Sequence, residues 1–148
     1  MLREAHAIWR DGPYTGEGVL STASGILSNA KYTFGLPIGL QVHTSPCEML
    51  AAAISSCMSR MVAVEMAKVG IRPIQVETHA VLTLDFMGDA LRIMGAHLKI
   101  IARTSDPTHG QFEEAVNLAR QACPISSVLN IDIQCEAKLV SVATAALV

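Results

Sequence analysis

Ser45-Pro46-Cys47-Glu48-Met49-Leu50-Ala51-Ala52-Ala53-Ile54-Ser55-Ser56-Cys57-Met58 is the stretch on which the rest of the chain turns. Ser45 suits a helix cap, Pro46 suits the first helical position, where a missing N–H costs nothing, and Glu48 completes an S-x-x-E capping box. A long helix therefore begins here. It should run to about Val69, since Gly70 supplies a left-handed residue and Pro73 prevents resumption. From Met49 through Met58 the only polar side chains are Ser55, Ser56 and the Cys57 thiol, so the helix must be covered nearly all round. Arg60, Glu65 and Lys68 interrupt the apolar run over residues 49–69, which makes it a buried helix rather than a membrane span. A chain of 148 residues suits a single domain, 1–148, and has difficulty covering such a helix alone. A homodimer whose subunits cover each other's central helix is expected.

Upstream, residues 5–10 alternate, Asp11-Gly12-Pro13 is a turn cluster, residues 16–21 read as a partner strand, and Ser24-Gly25 turns again, giving an N-terminal β-meander. Downstream, Ile74, Val76, Thr78, Ala80, Leu82, Leu84 and Phe86 fall on one face of an alternating strand. Gly88-Asp89 turns it back, and residues 91–104 form the antiparallel partner, with Met94, Ala96, Leu98, Ile100 and Ala102 sharing a face. After Asp106-Pro107, the residues Phe112, Ala115, Val116 and Ala119 recur at helical spacing. Cys123-Pro124 ends that helix and starts a short helical turn. Ile131, Ile133, Cys135, Ala137 and Leu139 then alternate as a closing, half-buried strand. The order predicts an α+β fold with mainly antiparallel sheets packed around the long buried central helix.

A composition 51% hydrophobic and 16% charged excludes disorder. Lys and Arg number 11 against 13 Asp and Glu, a net charge of −2 with no long run of either sign, so neither nucleic acid nor anionic membrane is an expected partner. Residues 1–10 lack the apolar core of a secretory signal, so a cytoplasmic location is expected, where disulfides are transient and catalytic rather than structural. The cysteines at 47, 57, 123 and 135 contain no C-x-x-C pair, and the histidines at 6, 43, 79, 97 and 109 lack the i, i+4 spacing of a helical metal site. Neither a metal nor another cofactor is expected. The G-x-S-x-G elbow, the P-loop and the G-x-G-x-x-G turn are also absent from the sequence.

Thiol chemistry remains, in which one thiolate attacks and a second thiol resolves the product. Cys57 and Cys123 are the best placed pair. Cys123 precedes the unpaired N–H groups of Ile125 and Ser126, which favour a thiolate. Cys57 lies about three turns into its helix and needs a cation or donors from elsewhere, for which Arg60 at i+3 is within reach. Small buried hydrophobes are the alternative reading of both cysteines. Cys135 reads as core, Cys47 as an exposed helix-start residue, Glu48 as a cap, and Met49, Met58, Met61 and Met66 as core filler.

Residues 44–57 resemble the T-x-P-E-E-L-x-x-A-A-x-x-x-C helix of the OsmC/Ohr family of organic hydroperoxide reductases, and Ala122-Cys123-Pro124-Ile125-Ser126-Ser127-Val128-Leu129 resembles its second motif, x-C-P-[VIY]-S-x-V-L. Ala7-Ile8-Trp9 and residues 18–27 resemble the OsmC branch, so the match spans nearly the whole chain. The resemblance implies the OsmC-like fold and an intertwined homodimer with its sites at the subunit interface. It further implies thiol-dependent reduction of organic hydroperoxides to alcohols, a defence against oxidative stress that uses no metal or flavin. Cys57 would attack the peroxide, Cys123 would resolve through a disulfide, and an external dithiol or lipoylated protein would be the reductant. The Arg and Glu that hold the family's attacking thiolate fall here at Pro37 and Cys47, while Glu48, one residue on, points about 100° away around the helix. Arg60, Arg10 and Arg72 are the cations left to replace that Arg, and a variant of the same chemistry uses Cys47, close before Cys57, as an extra thiol. The two replacements also keep open a noncatalytic protein that binds a small apolar ligand at the dimer interface.

Overall fold

The computed structural model describes residues 1–13, 15–33, 43–105 and 110–142; Pro37, His109 and the Asp106-Pro107 turn lie outside them. The described structure comprises two compact units, Met1–Leu50 and Ala51–Val148.

In the first unit, β1 (Ala5–Arg10), β2 (Glu17–Thr22) and β3 (Ala30–Tyr32) form an antiparallel sheet in that order. Asp11 and Gly12 both take positive φ, 67° and 96°, which makes the predicted turn. Gly18 pairs with Trp9 on one side and Tyr32 on the other, and their rings meet with centroids 5.7 Å apart. A Cβ on Gly18 would collide with the Tyr32 ring, so the aromatic pair closes over a strand position that must stay bare. At three residues, β3 is too short to show alternation, and the sequence did not reveal it.

Helix α1 (Pro46–Lys68) starts as its signals require, with the Glu48 N–H donating to Ser45 Oγ at 3.2 Å. The other half of the capping box is replaced: Glu48 Oε2 accepts the Thr44 hydroxyl at 2.8 Å instead. At the far end Gly70 adopts φ +79° and the Ile71 N–H reaches Met66 O at 2.9 Å, a Schellman closure.

Within the second unit, Ile54, Met58, Val62 and Met66 recur every fourth residue along α1 and are all 0% exposed. They share one core with Leu98, Ile100 and Ala102 and with Phe112, Ala115, Val116 and Ala119. The expectation of all-round burial is not met within one chain. Ala52, Ser56 and Arg60 are exposed, and Ala53, Cys57, Met61 and Val64 are only half-buried.

Strands β4 (Pro73–Met87) and β5 (Ala90–Thr104) pair antiparallel through the two-residue turn foreseen at Gly88-Asp89. The closing strand β6 (Asp132–Ser141) lies parallel to β5, so this sheet is mixed rather than antiparallel. Alternation in a strand reports its buried face but not its direction. Here α2 (Phe112–Ala122) and α3 (Pro124–Val128) make the crossover that returns the chain to the start of β5.

A second correction concerns Met94, expected on the inner face and found exposed. Thr83 pairs with Gly95 but Leu84 pairs with Ile93, so Met94 is the extra residue of a bulge. Beyond it the alternation of β5 shifts by one residue: Ile93 and Leu91, the partners of Leu84 and Phe86, take the inner face and are half-buried, while Leu84 and Phe86 are exposed towards the end of the hairpin. Ile74, beside the irregularity between Pro73 and Gln75, is exposed for the same kind of reason.

Candidate active site: a facing pair of thiols

Cys57 precedes Met58 of the buried α1 stripe, so its sulfur lies at the edge of the core and stays half-buried. Cys123 closes α2 and caps α3. Its backbone is extended (φ −71°, ψ 114°), Pro124 takes the first helical position, and Sγ accepts the Ser126 N–H at 3.4 Å. It is 0% exposed. These two free thiols, 66 residues apart in sequence, sit with their sulfurs 2.9 Å from each other. The predicted pair is brought together.

Burial pushes the Cys57 thiol above its ordinary value, as do its hydrogen bond to Cys123 and that sulfur's charge; the Ile125 N–H and the Arg60 charge oppose the rise. Burial also works against ionising Cys123. It is outweighed by the Cys57 thiol, by the Ser126 hydroxyl and N–H and by the Ile125 N–H, so Cys123 titrates below its ordinary value. Of the two coupled thiols, Cys123 is therefore the one that gives up its proton first. The donors that sequence reasoning required for Cys57 come from the start of α3.

The three serines flanking Cys57 are otherwise engaged. Ser55 donates to Ala51 O at 2.7 Å, Ser56 to Ala53 O at 3.0 Å, and Ser59 lies 2.9 Å from Thr78 Oγ1. Arg60 is exposed and acts on Cys57 only through its charge. Cys47 and Glu48 belong to the first unit, where Cys47 is half-buried rather than exposed and Glu48 is held by Thr44. Cys135 is half-buried against the core, and burial raises its thiol against the opposing charge of Arg120. Among the described residues no three His, Cys, Asp or Glu side chains gather as a metal-binding set.

The sequence reading missed the Ser126 hydroxyl. Its oxygen is buried beside Cys123 yet completes no hydrogen bond among the described residues, an arrangement that costs about 1–3 kcal/mol. The only signal for it was its place three residues after a capping cysteine.

Two three-stranded sheets, with a thiol of the long helix facing a thiol at a short crossover helix, define an OsmC-type protein. The sequence profile of OsmC-like proteins matches residues 39–138, and the chain belongs to that family. It is 27% identical over 139 residues to Peroxiredoxin OsmC of Escherichia coli strain K12, covering 94% of this chain and 97% of that one. Its fold is similar to that of an OsmC-like protein of unknown function from Vibrio cholerae (TM-score 0.74, 19% identity, 93% and 99% of the two chains). It is also similar to that of the organic hydroperoxide resistance protein OhrB of Bacillus subtilis (TM-score 0.65, 22% identity, 91% and 98%).

Proposed function

We propose that this protein is a cysteine peroxidase that reduces organic hydroperoxides to alcohols, with Cys57 attacking and Cys123 resolving. The observation that carries this is the 2.9 Å separation of the sulfurs of a half-buried and a buried cysteine. Cys57 gives up its proton to become the attacking thiolate. It takes the distal oxygen of the hydroperoxide; the O–O bond breaks, the alkoxide is protonated and leaves, and Cys57 becomes a sulfenic acid. Cys123, once ionised, attacks that sulfur; the S–O bond breaks, water leaves, and the sulfurs close to about 2.05 Å. Met61, Ile125 and Leu129, partly buried against the same core as the two cysteines, suit an apolar substrate. Arg60, whose charge favours the Cys57 thiolate, is the cation assigned to stand in for the family's Arg.

The same proposal takes an external dithiol or lipoylated protein as reductant, no bound cofactor, and a cytoplasmic, reducing surrounding. It also includes a homodimer, supported by the half-covered α1 face and by Val81, Leu84, Phe86 and Met94 left exposed on the β4–β5 hairpin. A monomeric mass in sedimentation at micromolar concentration would remove the dimer. The test of function is stopped-flow oxidation of the reduced protein by cumene hydroperoxide and by hydrogen peroxide. Fast oxidation lost in Cys57→Ser and ending in a Cys57–Cys123 disulfide is expected, and turnover surviving in Cys57→Ser overturns the assignment. The second reading, a noncatalytic protein binding a small apolar ligand, draws on Cys47 standing where the family has Glu and on the raised Cys57 thiol. Oxidation no faster than that of a free thiol would select it.

A further inference from the structure

The two sulfurs differ in the property that decides how a disulfide between them opens. Cys57 is half-buried, whereas Cys123 is 0% exposed. An incoming thiolate attacks the sulfur it can reach and expels the better leaving group. Around Cys123 the chain is arranged to receive negative charge: the Ser126 N–H points at Sγ from 3.4 Å, and the hydroxyl of the buried Ser126 has no hydrogen-bond partner among the described residues.

Resting on the peroxidase reading, we propose that the regenerating dithiol attacks Cys57 Sγ, that Cys123 leaves as the thiolate, and that the Ser126 hydroxyl is the positioning donor that receives it. The first thiolate of the reductant bonds to Cys57, the Cys57–Cys123 bond breaks, and its electron pair passes to Cys123. The second thiolate then attacks the reductant's own first sulfur, closing the reductant's disulfide and releasing Cys57. The two protons lost by the dithiol are taken up by the two protein sulfurs, so the protein gains two electrons and the dithiol loses two. The unpaired Ser126 hydroxyl thus finds its acceptor when charge arrives at Cys123.

The test starts from disulfide made with diamide, which requires no hydroperoxide chemistry. The oxidised protein is mixed with excess glutathione, quenched in acid, unfolded, alkylated and mapped by mass spectrometry. Glutathione on Cys57 and alkylation on Cys123, in at least about tenfold preference, is the expected result. Glutathione on Cys123, or comparable amounts on both, overturns the proposal. Ser126→Ala should slow the reduction about tenfold and raise the pH midpoint of the first thiolate absorbance at 240 nm, with Ser126→Thr restoring both. An unmoved midpoint and rate would remove Ser126 from the step. Slow hydroperoxide oxidation with the diamide disulfide still opening at Cys57 would sink the peroxidase reading alone.

Discussion

Replacing Cys123 in two different ways separates its chemistry from its packing. Its side chain is 0% exposed in the core, and its sulfur caps α3 by accepting the Ser126 N–H. Cys123→Ala removes both contributions. The lost cap costs about 1 kcal/mol, and the vacated sulfur, similar in volume to a methylene group or somewhat larger, costs about another 1 kcal/mol. Cys123→Ser keeps an oxygen at a position where serine is among the preferred caps. Its hydroxyl also has Cys57 Sγ as a neighbour, so its deficit should stay within about 1 kcal/mol. Urea unfolding of the reduced proteins at equal concentration should therefore rank wild type and Cys123→Ser close together and Cys123→Ala about 2 kcal/mol lower. In a chain of this size that corresponds to roughly 4–8 °C in Tm. Both variants should stop at a Cys57 sulfenic acid that a dimedone label captures. An alanine variant as stable as the serine variant would refute the capping role.

The remaining expectations can be checked one residue at a time. Cys57 and Cys135 have thiols raised above the ordinary value of 9.0, so the folded state holds protons that the unfolded state releases. Their contribution is complete below pH 9 and is lost as pH rises through their folded values; Cys123, lowered, acts in the opposite sense at lower pH. Cys135→Val should flatten the alkaline decline in urea midpoint between pH 8 and 10.5, and an unchanged slope would remove Cys135 from it. Arg60→Gln should slow Cys57 oxidation about twofold to threefold at low salt and hardly at all at 1 M, since the cation is exposed; a salt-independent loss would point to a role other than charge. Met58→Ala, in the fully buried α1 stripe, should cost about 2–5 kcal/mol in urea unfolding. Gly18→Val should disrupt the Trp9–Tyr32 pair and shift the Trp9 fluorescence.

Local chemistry was the legible part of this chain. The Ser45 cap and the Gly70 exit could be read because caps and left-handed residues act over a few neighbours. Phe112, Ala115, Val116 and Ala119 proved to be the buried face of α2 because helical spacing alone selects it. Met94 was misread for the opposite reason. Its bulge is created by pairing with a second strand, and the alternation continues past it in sequence while reversing in space. The direction of β6 was hidden likewise, because it depends on the crossover and not on the strand. At the site, two cysteines 66 residues apart carried no local sign of their contact; they were singled out as the best placed thiols, and the motif resemblance then implied which attacks and which resolves. That Cys123 would be served by the Ile125 and Ser126 N–H groups did follow from Pro124 starting a helical turn.

The titration order of the pair looks unsuited to its proposed roles, since the attacking sulfur is the one whose ionisation is disfavoured. Two demands on the site resolve this. A nucleophile needs access and an intrinsically reactive thiolate; that reactivity rises with thiol pKa, with a Brønsted slope of about 0.4–0.5, while the fraction ionised falls. A leaving group needs a low pKa and no access. Cys57, half-buried and raised, meets the first demand, and Cys123, enclosed and lowered, meets the second. Because the sulfurs are 2.9 Å apart, a proton can pass directly from Cys57 to Cys123 once Cys123 is ionised, which hands the negative charge to the attacking sulfur. This arrangement reduces the dependence on an added cation beside Cys57. That is a physical route by which the chemistry could survive with cysteine at position 47, where the family carries Glu, and with only the exposed charge of Arg60 in support.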